Sequence, residues 1–428
     1  MEQTYFRKGF GLKKQVKPII DAEYHSKLLD RIRARGYRDV FGDVTVHLAQ
    51  EFGFCYGVDR AIDYAYETVR KFPSRRVYLV GEIIHNPHVN ERMREMGIRF
   101  IYPSEDRSFD FSHLTSEDVV LLPAFGCTRH DFQTLHGLGC VLVDTTCGSV
   151  LNVWKRVETY ARDGFTAIVH GKYSHEESRA TASQVTAYDG GKYLIVRDME
   201  EAEIVCDYIA GRPGSLSDKA FKEHFRKKAT PGFEPDRDLR KVGVANQTTM
   251  LANESLAIAA RIRAAMAEGH GEAYARECFR SFDTICSATQ ERQDAVEAMM
   301  VQPPDVMVVI GGYNSSNTNH LASMCRAHCV TFHIEDAVCI DTAAGTVRHK
   351  PELDPDAPEV VTADWLPQGP FDLGITAGAS TPNNKIGEAL TRILEIRGVL
   401  PGDDAIGGPG RAPAPCPGAS QELVTIEE

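Results

Sequence analysis

Short apolar runs recur along this chain, each followed by small polar residues and then by a helical 3.6-residue pattern. The runs include Val44–Leu48, Val119–Leu122, 141–143, Thr166–His170, 242–245, Val306–Ile310 and 373–377. Helical periodicity follows over 58–69, 150–160 and 290–300. This alternation predicts α/β units with buried strands whose carboxyl ends open onto ligand sites. The runs are strand-sized and none approaches the ~20 apolar residues needed to cross a bilayer, so no membrane association is expected.

Composition narrows the class. The chain has 428 residues, 48 Lys+Arg against 60 Asp+Glu, a net charge of -12, and is 43% hydrophobic and 25% charged. That is an ordinary globular balance with room for several domains, and it excludes disordered and fibrous classes. The acidic balance argues against nucleic-acid binding, because the basic residues Arg7, Lys8, Lys13, Lys14 and Lys17 form only a sparse cluster. Charges scattered through the N-terminus leave no apolar core for a secretory signal, so a cytoplasmic location is expected.

Eleven cysteines in a reducing compartment do not suggest a disulfide framework. No Cys-x-x-Cys pair is present. Three cysteines nevertheless share a setting: Phe54-Cys55-Tyr56-Gly57, Asp144-Thr145-Thr146-Cys147-Gly148 and Asp283-Thr284-Ile285-Cys286-Ser287. Each precedes a predicted helix. The interval from Cys147 to Cys286 is about half as long again as that from Cys55 to Cys147, and the excess maps to 210–240. There Gly211, Pro213, Gly214, Pro231, Gly232 and Pro235 punctuate a stretch rich in lysine, which reads as an inserted surface excursion. Three units of similar size remain, each opening with a cysteine at a helix N-terminus, where the dipole favours a thiolate. Three converging thiolates leave zinc one protein ligand short, whereas an iron-sulfur cubane tolerates an open iron. Cys325 and Cys329, like Cys127, Cys140, Cys206, Cys278, Cys339 and Cys416, read as packed thiols.

Four strand-to-helix turns are rich in Gly, Ser, Thr and Asn: 171–177, 246–249, 311–318 and 378–382. Such turns form anion sites at helix N-termini. None matches a dinucleotide or nucleotide-triphosphate fingerprint, so a phosphorylated substrate without a nucleotide is expected. His85 and His175 end comparable strands. An imidazole with a carboxylate can hold an anion and deliver protons, but the residues alone do not choose between Glu176 and Glu177.

These blocks resemble one family, the 4-hydroxy-3-methylbut-2-enyl diphosphate reductases. The matching segments are GFCYGVDRAI at 53–62, GEIIHN at 81–86, DTTC at 144–147, HGKYSHEES at 170–178, NQTTM at 246–250, DTICSATQERQ at 283–293, GGYNSSNTNHL at 311–321 and ITAGASTP at 375–382. The resemblance implies a trefoil of three pseudo-threefold-related α/β/α domains around one 4Fe-4S cluster, with Cys55, Cys147 and Cys286 as ligands and one open iron. It implies that His85, His175, Ser315, Ser316, Asn317 and Ser380 bind the substrate diphosphate. Glu177, matching the family's His-x-Glu, and Thr248 would handle protons and the hydroxyl. The implied reaction is reductive dehydroxylation of the allylic diphosphate to isopentenyl and dimethylallyl diphosphates, the last step of the non-mevalonate pathway, with ferredoxin or flavodoxin as electron donor.

One departure stands out. Many bacterial members carry a further diphosphate-binding histidine in an Ala-His-Gly sequence, where this chain has Phe125. With the N-terminal extension and the insertion, this resembles the plastid and cyanobacterial branch, and Lys172 is a candidate to offset the missing contact. The expected organisation is an extension at 1–43, α/β domains at 44–146, 147–282 and 283–400, and a disordered tail at 401–428. A different open-site cluster enzyme or a cluster-based redox sensor would lack a use for the Ser-Ser-Asn and His-x-Glu loops.

Overall fold

The apolar runs Val77–Val80, Val119–Leu122, Thr166–His170, Val242–Asn246 and Val306–Ile310 form strands buried at every position. Continuous burial of this kind requires helices on both faces of the sheet, the signature of parallel α/β architecture. The computed structural model describes residues 4–351 and 357–399, so the tail expected to be disordered lies outside the described residues.

Three parallel sheets share one strand order. In the first, Val141–Asp144 pairs with Val119–Leu122, which pairs with Val77–Val80, which pairs with Arg99–Ile101. Taken by position along the chain, the order is fourth, third, first, second. The second sheet repeats it with Phe279–Ser281, Val242–Asn246, Thr166–His170 and Tyr193–Val196. The third has Val306–Ile310 first, Val330–Ile334 second and Phe371–Ala377 third, and its fourth place is filled from the N-terminal part of the chain by Val44–Leu48.

That strand corrects the sequence reading, which put it in the first unit at 44–146. Its apolar pattern specifies a buried strand but carries no record of which sheet it joins. The helix that follows it, Tyr56–Lys71, does belong to the first unit: Ala61, Ile62 and Ala65 pack with Leu79, Val119 and Val143. The same handover recurs twice. Val153, Val157 and Tyr160 of helix Gly148–Arg162 pack on Ala167 and Ala245 of the second sheet. Val296 and Met300 of helix Ser287–Met300 pack on Met307 and Val309 of the third.

The N-terminal extension is part of the fold rather than an appendage. Tyr5–Phe6 adds a strand beside Val141–Asp144, and Arg38–Phe41 pairs antiparallel with Val44–Leu48. Helix Lys13–Tyr24 buries Val16, Ile20 and Tyr24 in the first core, while Leu28, Leu29 and Ile32 of helix Lys27–Ala34 enter the third. A small antiparallel sheet of Ile340–Asp341, Thr346–His349 and Val360–Ala363 decorates the third unit. Cys325 is buried in the core near the end of helix Ser316–Arg326, and Cys329 lies beyond that helix, packed at the edge of the same cluster. Among the described residues no helix is long and apolar enough to cross a membrane.

The segment 210–240 also differs from its reading as a surface excursion. It forms helix Asp218–His224 and buries Phe221, Phe225 and Phe233 against Val205, Leu194 and Leu239. Its glycines, prolines and lysines dominate the composition, yet three aromatic rings at wide spacing anchor it. Phe221→Ala is expected to cost about 3–5 kcal/mol in urea unfolding. A loss within about 0.5 kcal/mol would return the segment to the surface.

Candidate active site

Each of the three cysteines stands at a handover between units. Cys55, Cys147 and Cys286 are the N-cap residues of helices Tyr56–Lys71, Gly148–Arg162 and Ser287–Met300. Their backbone N–H groups make equivalent bonds to the loop after the third strand of the preceding unit. Cys55 donates to the Ala379 carbonyl at 3.1 Å, Cys147 to Ala124 at 2.9 Å and Cys286 to Thr248 at 3.3 Å. The three thiols are half-buried, unlike Cys127, Cys140, Cys206, Cys278, Cys325 and Cys339, which are buried.

The sulfurs converge. A methyl group added to Gly57 would lie 2.6 Å from the Cys147 Sγ and 3.8 Å from the Cys55 Sγ, so glycine is required for the two thiols to face each other. Burial pushes the Cys286 thiol up to about 11, with a smaller contribution from the neighbouring Cys55 and Glu177. Burial likewise raises the Cys55 thiol, against the opposing backbone N–H groups of Val58 and Gly57 and the charge of Arg292. Protonated thiols of this kind ionise when a metal replaces the proton. Among the described residues, His85, His175 and Glu176 form the one set of three possible metal ligands whose donor atoms all lie within 4.8 Å of one another. The three cysteines are therefore spaced too widely for a single tetrahedral ion, and their all-thiolate chemistry fits a polynuclear iron-sulfur group.

The remaining loops come from the carboxyl ends of the first and third strands. His85, His175 and Ser315 occupy the same offset beyond Val77–Val80, Thr166–His170 and Val306–Ile310. His175 and Ser315 cap the helices Glu176–Ser183 and Ser316–Arg326. His85 Nε2 meets His175 Nε2 at 3.2 Å, and the Ser380 hydroxyl donates to the His85 carbonyl at 3.1 Å. Gln247, fully buried, joins units two and three: its Oε1 accepts from the Ser178 hydroxyl at 2.9 Å and the Lys172 N–H at 3.2 Å, and its Nε2 donates to the Ser316 Oγ at 3.1 Å. Asn317 accepts from the Ala379 N–H at 3.0 Å, while its buried Nδ2 has no partner. A buried amide donor left without an acceptor is costly and fits an anionic ligand.

Local hydrogen bonds fix the protonation pattern. His175 Nδ1 accepts from the Glu177 N–H at 3.1 Å. Burial, followed by the charges of His85 and Lys172, holds the His175 imidazole neutral, well below its usual range. Its proton therefore sits on Nε2, which faces His85 Nε2, while His85 Nδ1 lies 3.1 Å from Glu82 Oε2. This tautomer makes His175 a hydrogen-bond donor to an anion and a poor ligand for a cation, which disfavours a metal between His85, His175 and Glu176. Phe125 stacks on His85 with ring centroids 4.1 Å apart and meets His175 edge-on at 5.6 Å, so it braces the imidazoles it cannot assist by hydrogen bonding.

Glu177 differs from Glu176. Glu177 is 1% exposed, and burial raises its carboxyl to about 7, opposed by hydrogen bonds from the Thr248 N–H and hydroxyl. Glu176 is partly exposed and lies 3.6 Å from His85 Nε2. The choice of Glu177, left open by the residues alone, thus has a physical basis: it is the buried one of the two, and burial keeps a proton on its carboxyl near neutral pH. The sequence-based residues fall into two touching groups, the thiols with Glu177 and Thr248, and the polar set around His85. Gln247, Gly57, Glu82 and Asn314, whose Nδ2 lies 3.4 Å from both Glu82 Oε2 and His85 Nδ1, were missed. All four lie inside motif blocks, but their roles arise from contacts between units.

The unfolded Glu177 carboxyl titrates near 4.5 and the folded one near 7. Between those values the folded state keeps a proton that the unfolded state has lost, so stability falls as pH rises through this window. Glu177→Gln is expected to flatten that decline in denaturation curves taken across it. Parallel declines in the native and variant proteins would remove the assignment.

The chain is similar to known proteins over most of its length. The family model described as LytB protein matches residues 46–394. A 4-hydroxy-3-methylbut-2-enyl diphosphate reductase of Thermosynechococcus vestitus is 47% identical over 399 residues, covering 93% of this chain and 96% of the relative. One from Gloeobacter violaceus is 48% identical over 404 residues, covering 93% and 94%. The solved E-1-hydroxy-2-methyl-but-2-enyl-4-diphosphate reductase of Plasmodium falciparum shares the fold, with a TM-score of 0.59 at 19% identity, over 82% of this chain and 87% of that one. With three matching α/β units, three thiols at their handovers and relatives aligned over nearly the whole length, the chain belongs to the LytB family of 4-hydroxy-3-methylbut-2-enyl diphosphate reductases.

Proposed function

We propose that this protein reduces 4-hydroxy-3-methylbut-2-enyl diphosphate to isopentenyl and dimethylallyl diphosphates, the terminal step of the non-mevalonate pathway. The reaction consumes two electrons and two protons and releases one water. The observation that carries this reading is the double attachment of Thr248: its N–H bonds the Glu177 carboxyl and its carbonyl bonds the Cys286 N–H. A proton donor and a thiol of the metal-binding set are thereby held on one short loop.

When bound at Cys55, Cys147 and Cys286, a 4Fe-4S cluster with one iron lacking a protein ligand supplies single electrons and Lewis acidity. The protein's own groups do the rest. His175 Nε2–H, the Asn317 amide and the hydroxyls of Ser315, Ser316 and Ser380 bind the diphosphate and fix the short allyl chain, with His85 as a further contact once the His85–His175 bond opens. Lys172, whose charge already reaches His175, offsets the absence of a histidine at position 125. Thr248 orients the hydroxyl, and Glu177, protonated near neutral pH, delivers protons to the departing oxygen and the allyl carbon. Close packing of these loops excludes bulk water, which keeps the proton supply in the hands of Glu177.

Electrons come from a ferredoxin or flavodoxin, and a surface cleft beside Cys286 lined by Lys155 and Arg156 offers an acidic carrier a route to the thiols. A reducing cytoplasm suits a protein whose described cysteines are all unpaired.

The test is anaerobic reconstitution, quantitation of iron and sulfide, and turnover with the allylic diphosphate and reduced viologen. Iron-replete protein giving neither product would sink the reading. Glu177→Gln is expected to keep its iron and lose about 10²–10⁴-fold in turnover. Turnover by the native enzyme should decline as pH rises through about 7, where the Glu177 proton is lost. Cys147→Ser is expected to lose the cluster, and a variant with full iron content would contradict the three-thiol model.

A further inference from the structure

Arg292 lies on helix Ser287–Met300, the helix capped by Cys286, and is only 3% exposed. Its Nη1 donates to the Ala288 carbonyl at 2.8 Å and its Nη2 to the Gly53 carbonyl at 2.6 Å. The first bond stays within the Cys286 helix, and the second crosses to the loop that carries Cys55. Its Nε is buried and has no hydrogen-bond partner. Several other buried charges among the described residues have an ion-pair partner, among them Asp39 with Arg31, Asp118 with Arg76 and Glu201 with Lys228. Arg292 has no carboxylate partner among the described residues, and its contacts are two neutral carbonyls.

A guanidinium stays charged at any accessible pH. A buried cation without an anion carries a large desolvation penalty, and two carbonyl dipoles compensate only part of it. The carbonyl it holds at Gly53 is two residues from Cys55, and its own helix is capped by Cys286, so the unpaired guanidinium is anchored between the segments that carry two of the three thiols.

We propose that Arg292 is the fixed counter-charge of the three-cysteine centre, holding the Cys55 loop against the Cys286 helix and raising the reduction potential of the cluster bound there. This rests on the cluster reading of those cysteines. Accepting an electron adds one negative charge to the centre, and a buried positive charge stabilises the reduced form more than the oxidised one. Arg292 touches neither substrate nor reacting atoms, so it acts as a positioning residue through the thiols.

The experiment is a redox titration of the anaerobically reconstituted full chain, followed by electron paramagnetic resonance, on the native protein, Arg292→Lys and Arg292→Gln. Iron and sulfide are counted first. Native protein that binds no cluster would fail the cluster reading itself, whatever Arg292 does. With clusters loaded, Arg292→Gln is expected to lower the ratio of reduced to oxidised cluster about tenfold at a fixed potential, a shift of about 59 mV for one electron. Arg292→Lys is expected to stay close to the native value. Cluster retention by the lysine variant and loss by the glutamine variant would also support the counter-charge. An unshifted potential in Arg292→Gln, equal shifts in both variants, or loss of the cluster from both alike would assign a purely structural strut and overturn the proposal.

Discussion

The architecture depends on one repeated constraint: the N–H of each cysteine is bonded to the loop after the third strand of one unit, while the helix it caps packs on the next. Cys55 is tied to Ala379, Cys147 to Ala124 and Cys286 to Thr248. Because a helix N-terminus cannot satisfy its own first N–H groups, the chain must find partners at these positions, and here the units supply one another. Three such crossings close a ring in which the third sheet borrows Val44–Leu48 from the N-terminal part of the chain. The thiols meet because the units meet.

This geometry has electrostatic consequences. Polar loops at the carboxyl ends of buried parallel strands are removed from water by neighbouring units, so their protonation states are set by a few contacts. Glu177 keeps its proton near neutral pH because burial outweighs the hydrogen bonds from Thr248. His175 stays neutral because burial and nearby positive charge act in the same direction. One site thus holds a carboxylic acid able to give a proton beside an imidazole able only to donate a hydrogen bond, a division of labour suited to an anionic substrate that must be protonated elsewhere.

The three related thiols and the polar turns beside them were legible because their residue types are chemically narrow. Three cysteines in one local setting, and Ser-Ser-Asn or His-x-Glu turns after buried strands, allow few other uses. The segment 210–240 was misread for the opposite reason: its many glycines, prolines and lysines describe its surface, whereas Phe221, Phe225 and Phe233 determine its place. Gln247 escaped notice because an amide in a polar turn has no distinctive signature until Ser178 and Ser316 are seen on either side of it.

The sequence by itself determined the kind of protein this is: strands long enough only to be buried, helices behind polar turns, three thiols at helix starts, and a family resemblance carried by eight local blocks. These are properties of neighbouring residues, where periodicity, capping preference and side-chain chemistry act over a few positions. The tertiary structure decided which sheet Val44–Leu48 completes, that the N-terminal extension belongs to two cores, which of two adjacent glutamates is buried, and that Arg292 stands without a carboxylate beside Cys55. Each of those outcomes depends on burial and on partners far away in the chain, and the local pattern of residues contains neither.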